Sequence, residues 1–368
     1  MCKSSIKRFD SGEGNVFKYV FTNSDFVLEA VLYKYKDFYE RTVVCCSTMS
    51  GCPVGCEFCG TGKKFIKNID SDTIIMQSNH ILKDMNIEDV DIKGKRFQIM
   101  FMSMGEPFLN YDNVKEAIIK LHDKYPNAEL LISTIAPKMG DKFADFIALS
   151  SKIPNIGLQF SIHRSSNDER DNLIPYKNKY TLEEIRDYGI IWWHATGRHP
   201  YLNYCIDGNN SSYRDFARLQ SLFSPVIFNF TFSVVCSSDE NMKDAGFKNL
   251  DAIRYFEKYF IESGYNTRIF NPDGQDDIGG GCGQLWYVQK WLGEHNKKKQ
   301  DINCIGCIHY NIMYQEKPKM VFDGCVLYDT YLKRDKDNRV VPCTMCNNAG
   351  NIKFLDIRDA YKRRYKND

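Results

Sequence analysis

Three cysteines crowd into Gly51-Cys-Pro-Val-Gly-Cys-Glu-Phe-Cys-Gly60, with the spacing C-x3-C-x2-C. Thiolates from Cys52, Cys56 and Cys59 can each ligate one iron of a 4Fe–4S cubane, which leaves the fourth iron without a protein ligand. An open metal position separates a catalytic centre from a closed structural one. The same triad also suits half of a zinc site or a chance cluster, so the motifs around it carry weight. Cys304-Ile-Gly-Cys307 and Cys343-Thr-Met-Cys346 form a second set, separated by positions 308–342. Paired C-x2-C knuckles commonly hold a tetrahedral zinc or a single iron. That pair has three readings: zinc, an auxiliary iron–sulfur cluster drawing on Cys325 and His309, or no metal.

Fourteen cysteines in 368 residues is a high count. Met1-Cys-Lys-Ser-Ser-Ile-Lys-Arg-Phe-Asp10 has no apolar export segment. No run of ~18 apolar residues suggests a membrane span. Cysteines in such a chain point to metal or redox chemistry in a reducing, cytoplasmic compartment. Cys2, Cys205 and Cys236 read as buried free thiols. Hydrophobic residues make up 43% and charged residues 26%, so the main body can bury a core without disulfide staples. A net charge of +2 neither announces nor excludes a nucleic-acid binder with a local basic face. Trp192-Trp193, Trp286-Tyr287 and the basic tail Tyr361-Lys-Arg-Arg-Tyr-Lys366 could contact bases and phosphates. Most aromatics in so rich a chain nevertheless belong to the core, and terminal charge runs are commonly solvated.

The elements that must position these groups alternate. A hairpin is predicted over 15–33, turning at Asn23-Ser24-Asp25. Asp70-Ser71-Asp72 caps a helix over 73–85. Strands are predicted at Phe97–Ser103, Glu129–Ser133, Ile156–Ser161 and Val226–Val235. Helices are predicted at Asn113–Lys124, Lys142–Ser150, Leu182–Tyr188 and Leu250–Ser263. Repeated strand–helix units imply an α/β fold with a parallel sheet, open or closed into a barrel. Active groups then belong at the carboxyl ends of the strands. The cysteine loop, Gly105-Glu106, Ser133 and Ser161 all fall there. The lysine run 297–299 marks a change to a cysteine-rich, turn-rich segment.

Four segments together resemble the radical-SAM adenosine methyltransferases of the RlmN and Cfr kind, over residues 26–292. Cys45-Cys-Ser-Thr-Met-Ser-Gly-Cys-Pro-Val-Gly-Cys-Glu-Phe-Cys-Gly-Thr61 is similar to the family's cluster loop, including the extra cysteine seven positions upstream. Phe101-Met-Ser-Met-Gly-Glu-Pro-Phe-Leu-Asn110 resembles its Met-Gly-Glu-Pro stretch. Ser161-Ile-His163, with Asn167-Asp-Glu-Arg170 and Ile174-Pro175, resembles its Ser-Leu-His segment. Asp277-Ile-Gly-Gly-Gly-Cys-Gly-Gln-Leu285 resembles its Cys-Gly-Gln-Leu segment. Thr196-Gly-Arg198, with Tyr204 and Asp207-Gly-Asn-Asn210, is a weaker match.

The resemblance implies a partial (β/α)6-type radical-SAM barrel, a 4Fe–4S cluster on Cys52, Cys56 and Cys59, and S-adenosylmethionine at the open iron. Gly105, Glu106, Ser133, Ser161, Ile162 and His163 would contact that cofactor. An electron donor such as flavodoxin or ferredoxin would reduce the cluster, which cleaves the cofactor to a 5′-deoxyadenosyl radical. The implied product is an adenine of ribosomal or transfer RNA methylated at a ring carbon, carbon 2 ahead of carbon 8. An amidine-type ring carbon cannot attack a sulfonium methyl, whereas a thiolate can. Cys282 would therefore be methylated first, and Cys45 would release the product through a Cys45–Cys282 disulfide. Cys46 stands one residue away and could exchange places with Cys45. Glu29 matches a family glutamate proposed as proton acceptor, and equally reads as an exposed strand residue.

Two departures stand out. About 25 residues precede the match, where the family has a helical domain that helps grip RNA. The family's Asn-Pro segment is expected after the late strand, where Val234-Val-Cys-Ser-Ser-Asp239 stands instead. The expected domains are an N-terminal hairpin at 1–40, a radical-SAM core at 41–295 and a small cysteine-rich module at 300–368, with Cys304, Cys307, Cys343 and Cys346 as zinc ligands. Two other function classes stay open. One is a radical-SAM enzyme acting on a peptide or small molecule with an auxiliary metal site. The other is a non-catalytic zinc protein that binds nucleic acid.

Overall fold

The computed structural model describes residues 5–234 except 63, and 250–292 except 272, 273, 275, 276, 282 and 286; within 310–341 it describes strand backbone only. The chain divides into two compact units, Met1–Gln289 and Lys290–Asp368.

The first unit is built on one ten-stranded sheet. Its strands are β1 (Ser5–Asp10), β2 (Val16–Thr22), β3 (Val27–Tyr35), β4 (Arg41–Cys46), β7 (Phe97–Phe101), β8 (Glu129–Thr134), β9 (Ile156–Ser161), β10 (Tyr201–Ile206), β11 (Asn229–Val234) and β12 (Thr267–Phe270), hydrogen-bonded in that order. Pairings from β1 to β4 are antiparallel, and those from β4 to β12 are all parallel. The predicted hairpin is β2–β3, and its strands continue the barrel sheet directly. Asn23 closes the turn by accepting the Asp25 and Phe26 amides at 2.7 and 2.8 Å. Two short strands, β5 (Met49–Cys52) and β6 (Lys64–Asn68), form a separate hairpin after β4.

The strand connections of this unit carry the helices α1 (Ser71–Asp84), α2 (Val90–Lys93), α3 (Tyr111–Lys124), α4 (Lys142–Lys152), α5 (Asn167–Leu173), α6 (Leu182–Thr196), α7 (Tyr213–Leu222) and α8 (Leu250–Glu262). Asp70 caps α1 by accepting the Thr73 amide at 2.7 Å. Helix α6 runs eight residues past its predicted end at Tyr188. Gly189, just past that end, is accommodated inside the helix, and a Cβ there would meet the Phe228 ring at 2.4 Å. This glycine is a packing requirement, and the helix ends instead at the left-handed Gly197. Strand β10 is missing from the predicted set, and β11 is shorter than predicted.

Strand alternation divides the sheet into two faces. Val44, Cys46, Leu202, Tyr204, Phe230 and Phe232 face the helices and join the main apolar core with Phe256 and Phe260. Cys45, Gln159, Ser161, Asn203, Thr231 and Ser233 line an interior cavity. The sheet curls enough that Tyr33 on β3 packs edge-on to Phe270 on β12, ring centres 5.6 Å apart. A closed parallel barrel fills its interior with branched aliphatic side chains. This partial β/α barrel keeps a cavity of about 750 Å³ in which those polar groups stand among apolar side chains, large enough for a small ligand and part of a second.

In the second unit, β13 (Tyr310–Glu316), β14 (Lys319–Cys325) and β15 (Thr330–Tyr331) form an antiparallel sheet, and β16 (Lys333–Arg334) pairs with β17 (Val340–Val341). Cys304, Cys307, Cys343 and Cys346 lie outside the described residues, as do Cys2, Cys236, Trp286 and the basic tail.

Candidate active site

The cysteine triad sits in the loop of the β5–β6 hairpin, above the carboxyl end of β4. Cys52 closes β5, and Cys56, Phe58 and Cys59 follow in tight turns, with the Cys59 amide donating to the Cys56 carbonyl at 3.1 Å. All three cysteines are outside any disulfide, half-buried and lining the cavity. Burial pushes the Cys52 thiol well above its ordinary range, so a thiolate there needs a positive partner.

Gly105 approaches the same hairpin. Its φ is +95°, and a Cβ would lie 2.6 Å from the Met49 Cβ, so glycine alone permits the contact. Glu106 is buried and caps the short 3-10 turn Pro107–Asn110. Its carboxylate accepts from Thr134 Oγ1 at 2.5 Å, the Ile135 amide at 2.8 Å and the Phe108 amide at 3.0 Å. Burial nevertheless pushes it up to about 7. The plain turn-forming role and a cavity-lining carboxylate thus coincide in one residue.

Ser133 and Ser161 close β8 and β9, their hydroxyls 3.3 Å apart, and both line the cavity. Buried Arg170 ties these strand ends together by donating to the Ile135 carbonyl at 2.7 Å and the Ser161 carbonyl at 3.4 Å. Ile162 is fully buried and its amide donates to the Asn203 carbonyl, which fixes the turn into His163. His163 has φ +59° and stands edge-on to Phe58 at 5.2 Å. Its Nδ1 accepts the Cys205 amide at 3.1 Å, so the neutral ring carries its proton on Nε2.

Burial, then the charges of Arg170 and Arg164, hold His163 down at about 3. The unfolded chain takes up a proton at this position below about pH 6.5, and the folded chain does not. Stability is therefore complete above that value and is lost as pH falls. Lowering the pH from 7 to 5 is expected to cost ~2 kcal/mol through this group alone. Urea denaturation at both pH values checks it: His163→Asn, which tolerates the left-handed backbone, should show a smaller difference than the parent.

Cys45 and Cys46 end β4 on opposite faces. Cys45 lines the cavity, whereas Cys46 is buried in the core against α1. Asp277–Leu285 docks onto the cluster hairpin. The Gly60 amide donates to the Gly283 carbonyl at 2.7 Å, and Thr61 Oγ1 to the Leu285 carbonyl at 2.6 Å. Cys282 lies outside the described residues, but Gly281 and Gly283, its neighbours on either side, both line the cavity.

Glu29 on β3 is wholly buried, not exposed. Its Oε2 lies 3.4 Å from Lys18 Nζ on β2, and both side chains are shut off from solvent. Burial raises the Glu29 carboxyl and lowers the Lys18 ammonium, each resisted by the other's charge. The pair grips both ends of the glycine-rich segment. Lys18 donates to the Gly279 carbonyl at 3.2 Å, and Glu29 accepts the Tyr287 amide at 2.8 Å.

Comparison with known proteins bears on this site. The radical SAM superfamily matches residues 46–194. A probable dual-specificity RNA methyltransferase RlmN of Pseudothermotoga lettingae is 32% identical over 277 residues, 73% of this chain and 75% of that protein. The chain belongs to the RlmN family of radical SAM methyltransferases. The similarly named protein of Finegoldia magna is 31% identical over 77% of this chain and 78% of its own length. The crystal structure of a radical SAM methyltransferase from Sphaerobacter thermophilus shares the fold, with a TM-score of 0.65 and 24% identity over 77% of this chain and 80% of that one.

Radical SAM membership implies a 4Fe–4S cluster and S-adenosylmethionine. Among the described residues, no three His, Cys, Asp or Glu side chains converge on a single ion position. A cubane takes one thiolate per iron, so its ligands stand apart, and three cysteines on one cavity wall suit it. When bound, the cluster and cofactor supply radical chemistry and methyl groups. The cavity offers three cysteines, a close glycine and a buried carboxylate that would suit an ammonium.

The RlmN reading from sequence missed four features. An Asn-Pro pair does exist, at Asn271-Pro272, directly after β12, and Asn271 lines the cavity. The late strand is β12, whereas the motif was sought after β11. Lys18 was legible as a lone charge in the apolar run Val16-Phe-Lys-Tyr-Val20. Asn203 carried no local signal, and Arg170, although part of a segment that resembles the family, was given no role of its own. Trp192, a proposed base-stacking residue, is a fully buried core side chain on α6.

Proposed function

We propose that this chain methylates an adenine ring carbon of RNA, carbon 2 ahead of carbon 8, with Cys282 as methyl carrier. The relatives are named for RNA methylation. The observation that carries the reading is one shared cavity, lined by Cys52, Cys56, Cys59, Cys45 and the two neighbours of Cys282. Cys52, Cys56 and Cys59 hold the cluster. Gly105, Glu106, Ser133, Ser161, Ile162 and His163 surround the cofactor, with Asn271 now added.

The Cys282 thiolate accepts a methyl group; once a hydrogen atom of that methyl has gone to the radical the cofactor would supply, its carbon bonds to the target carbon of the adenine, and the surplus electron of that adduct would return to the cluster. Glu29 takes the ring proton. Cys45 attacks the Cys282 sulfur; the carbon–sulfur bond breaks, the released carbon is protonated, and a Cys45–Cys282 disulfide remains. Cellular thiols in a reducing cytoplasm restore both cysteines. The target base must leave its stack to enter the cavity, which favours a loop adenosine of ribosomal or transfer RNA. A flavodoxin or ferredoxin supplies the electron. Cys304, Cys307, Cys343 and Cys346 hold zinc in a module that assists RNA binding.

Peptide mapping of protein purified without oxygen tests the central step. The Cys282 peptide is expected to carry one added methyl. An unmodified Cys282, in protein with a reduced cluster and saturating S-adenosylmethionine, would point instead to another radical reaction on a peptide or small molecule.

A further inference from the structure

The cavity does not end at the cluster hairpin. It continues to the N-terminal ends of the strands, where Arg41, Arg96, Arg198 and Arg268 stand with one carboxylate, Glu129. Glu129 is already committed. It takes Nε and a terminal amine of Arg96 at 2.8 and 2.9 Å, and the Gln98 amide at 2.6 Å. Arg198 donates to the Ser150 carbonyl at 2.6 Å. Arg41 on β4 and Arg268 on β12 are left with no carboxylate at ion-pair distance among the described residues.

Both are held in place by neutral neighbours. Arg41 lies 4.4 Å from the Tyr35 ring centre, and Arg268 lies 4.4 Å from that of Tyr201. Their Nε groups are spent on Gln98 Oε1 at 3.0 Å and Thr231 Oγ1 at 2.7 Å. A terminal amine of Arg268 reaches Gln159 Oε1 at 3.3 Å. Burial opposes ionisation of both groups, the charge of Arg96 adds to it at each and that of Arg41 at Arg268, while Glu129 partly relieves Arg41. A guanidinium stays charged regardless, so the repulsion persists unless an anion enters. Ring contact and the Nε bond orient each guanidinium and leave terminal N–H groups for a two-oxygen acceptor.

We propose that Arg41 and Arg268 form an oxyanion site at the N-terminal end of the barrel cavity, taking a phosphate-type group. A strand of five or six residues separates it from the cluster hairpin by roughly 17–20 Å. The site is thus distinct from the cofactor end and independent of the methyl-carrier mechanism. A phosphate of the RNA and a free phosphate ion present the same chemistry.

The test titrates inorganic phosphate into the anaerobically purified full chain at constant ionic strength, following the thermal unfolding midpoint and binding heat. Saturable stabilisation is expected, with the apparent Kd raised at least tenfold in Arg41→Gln and in Arg268→Gln. Arg268→Lys keeps the charge and should weaken binding less, which guards against a variant that misfolds. If phosphate competes with an RNA oligonucleotide for the parent but not for the double variant, the group belongs to the RNA. If RNA binding is indifferent to phosphate, the site takes the free ion. Equal phosphate responses in the parent and all variants, or none in any, would overturn the proposal.

Discussion

Cys282→Ala protein is expected to make no methylated RNA and no covalent RNA adduct, a loss of at least ~10⁴-fold, as befits removal of a covalent nucleophile. Cys45→Ala should fail later. It can load a methyl group and bond to the base, but no thiol releases the product, so a protein–RNA adduct accumulates and is visible on a denaturing gel. The contrast with Cys46 rests on strand alternation. Cys46 is packed in the core and faces away from the cavity, so Cys46→Ala should lose stability, ~1 kcal/mol for a small buried group, and keep its activity. Cys45 lines the cavity, but burial pushes its thiol well up. It is a poor nucleophile until it loses its proton, which keeps it from attacking prematurely. Nucleoside mass spectrometry together with the gel reads all three variants. An adduct in Cys46→Ala and turnover in Cys45→Ala would reverse the assignment.

That assignment shows where sequence reading stops. The spacing of seven to Cys52 favoured Cys45, but adjacent cysteines differ by one position, and only the pleat decides which faces inward. The α/β alternation was legible because most strands are apolar runs that alternate with helical stretches. Strand β10 was lost because Tyr201-Leu-Asn-Tyr-Cys-Ile206 alternates between core and cavity with Asn203 and Tyr201 inward. Polar residues there serve the cavity rather than mark a loop. Helix α6 outruns its predicted end, and Gly189 inside it answers to Phe228, a residue distant in sequence. The cluster loop read clearly from its spacing, but its mounting on a separate β5–β6 hairpin did not. That hairpin is braced by Asn110, whose amide donates to the Thr48 and Ile69 carbonyls at 2.7 and 2.8 Å. Long-range contacts of this kind leave no local pattern.

Lys18→Met is expected to have the other large effect. The change strands Glu29 in a site closed to solvent, and breaking a buried ion pair from one side costs ~3–5 kcal/mol. It also frees the Gly279 carbonyl, so the glycine-rich segment loses one of its anchors. Methylation should fall by ~10²-fold or more, since small displacements of reacting groups are costly. Stability and positioning can be separated by the double variant Lys18→Met/Glu29→Gln. Removing both charges relieves the stranded carboxylate, and the substituted amide oxygen can still accept from the Tyr287 backbone, so most of the lost stability should return in urea denaturation. Methylation should not return, because the proton acceptor is gone and the Gly279 end remains loose. Single-turnover assays with pre-methylated protein locate the defect: a slow carbon–carbon bond-forming step indicts the segment, and a slow release step indicts the missing carboxylate. A double variant as active as the parent would reduce the Lys18–Glu29 pair to a structural element and remove Glu29 from the chemistry.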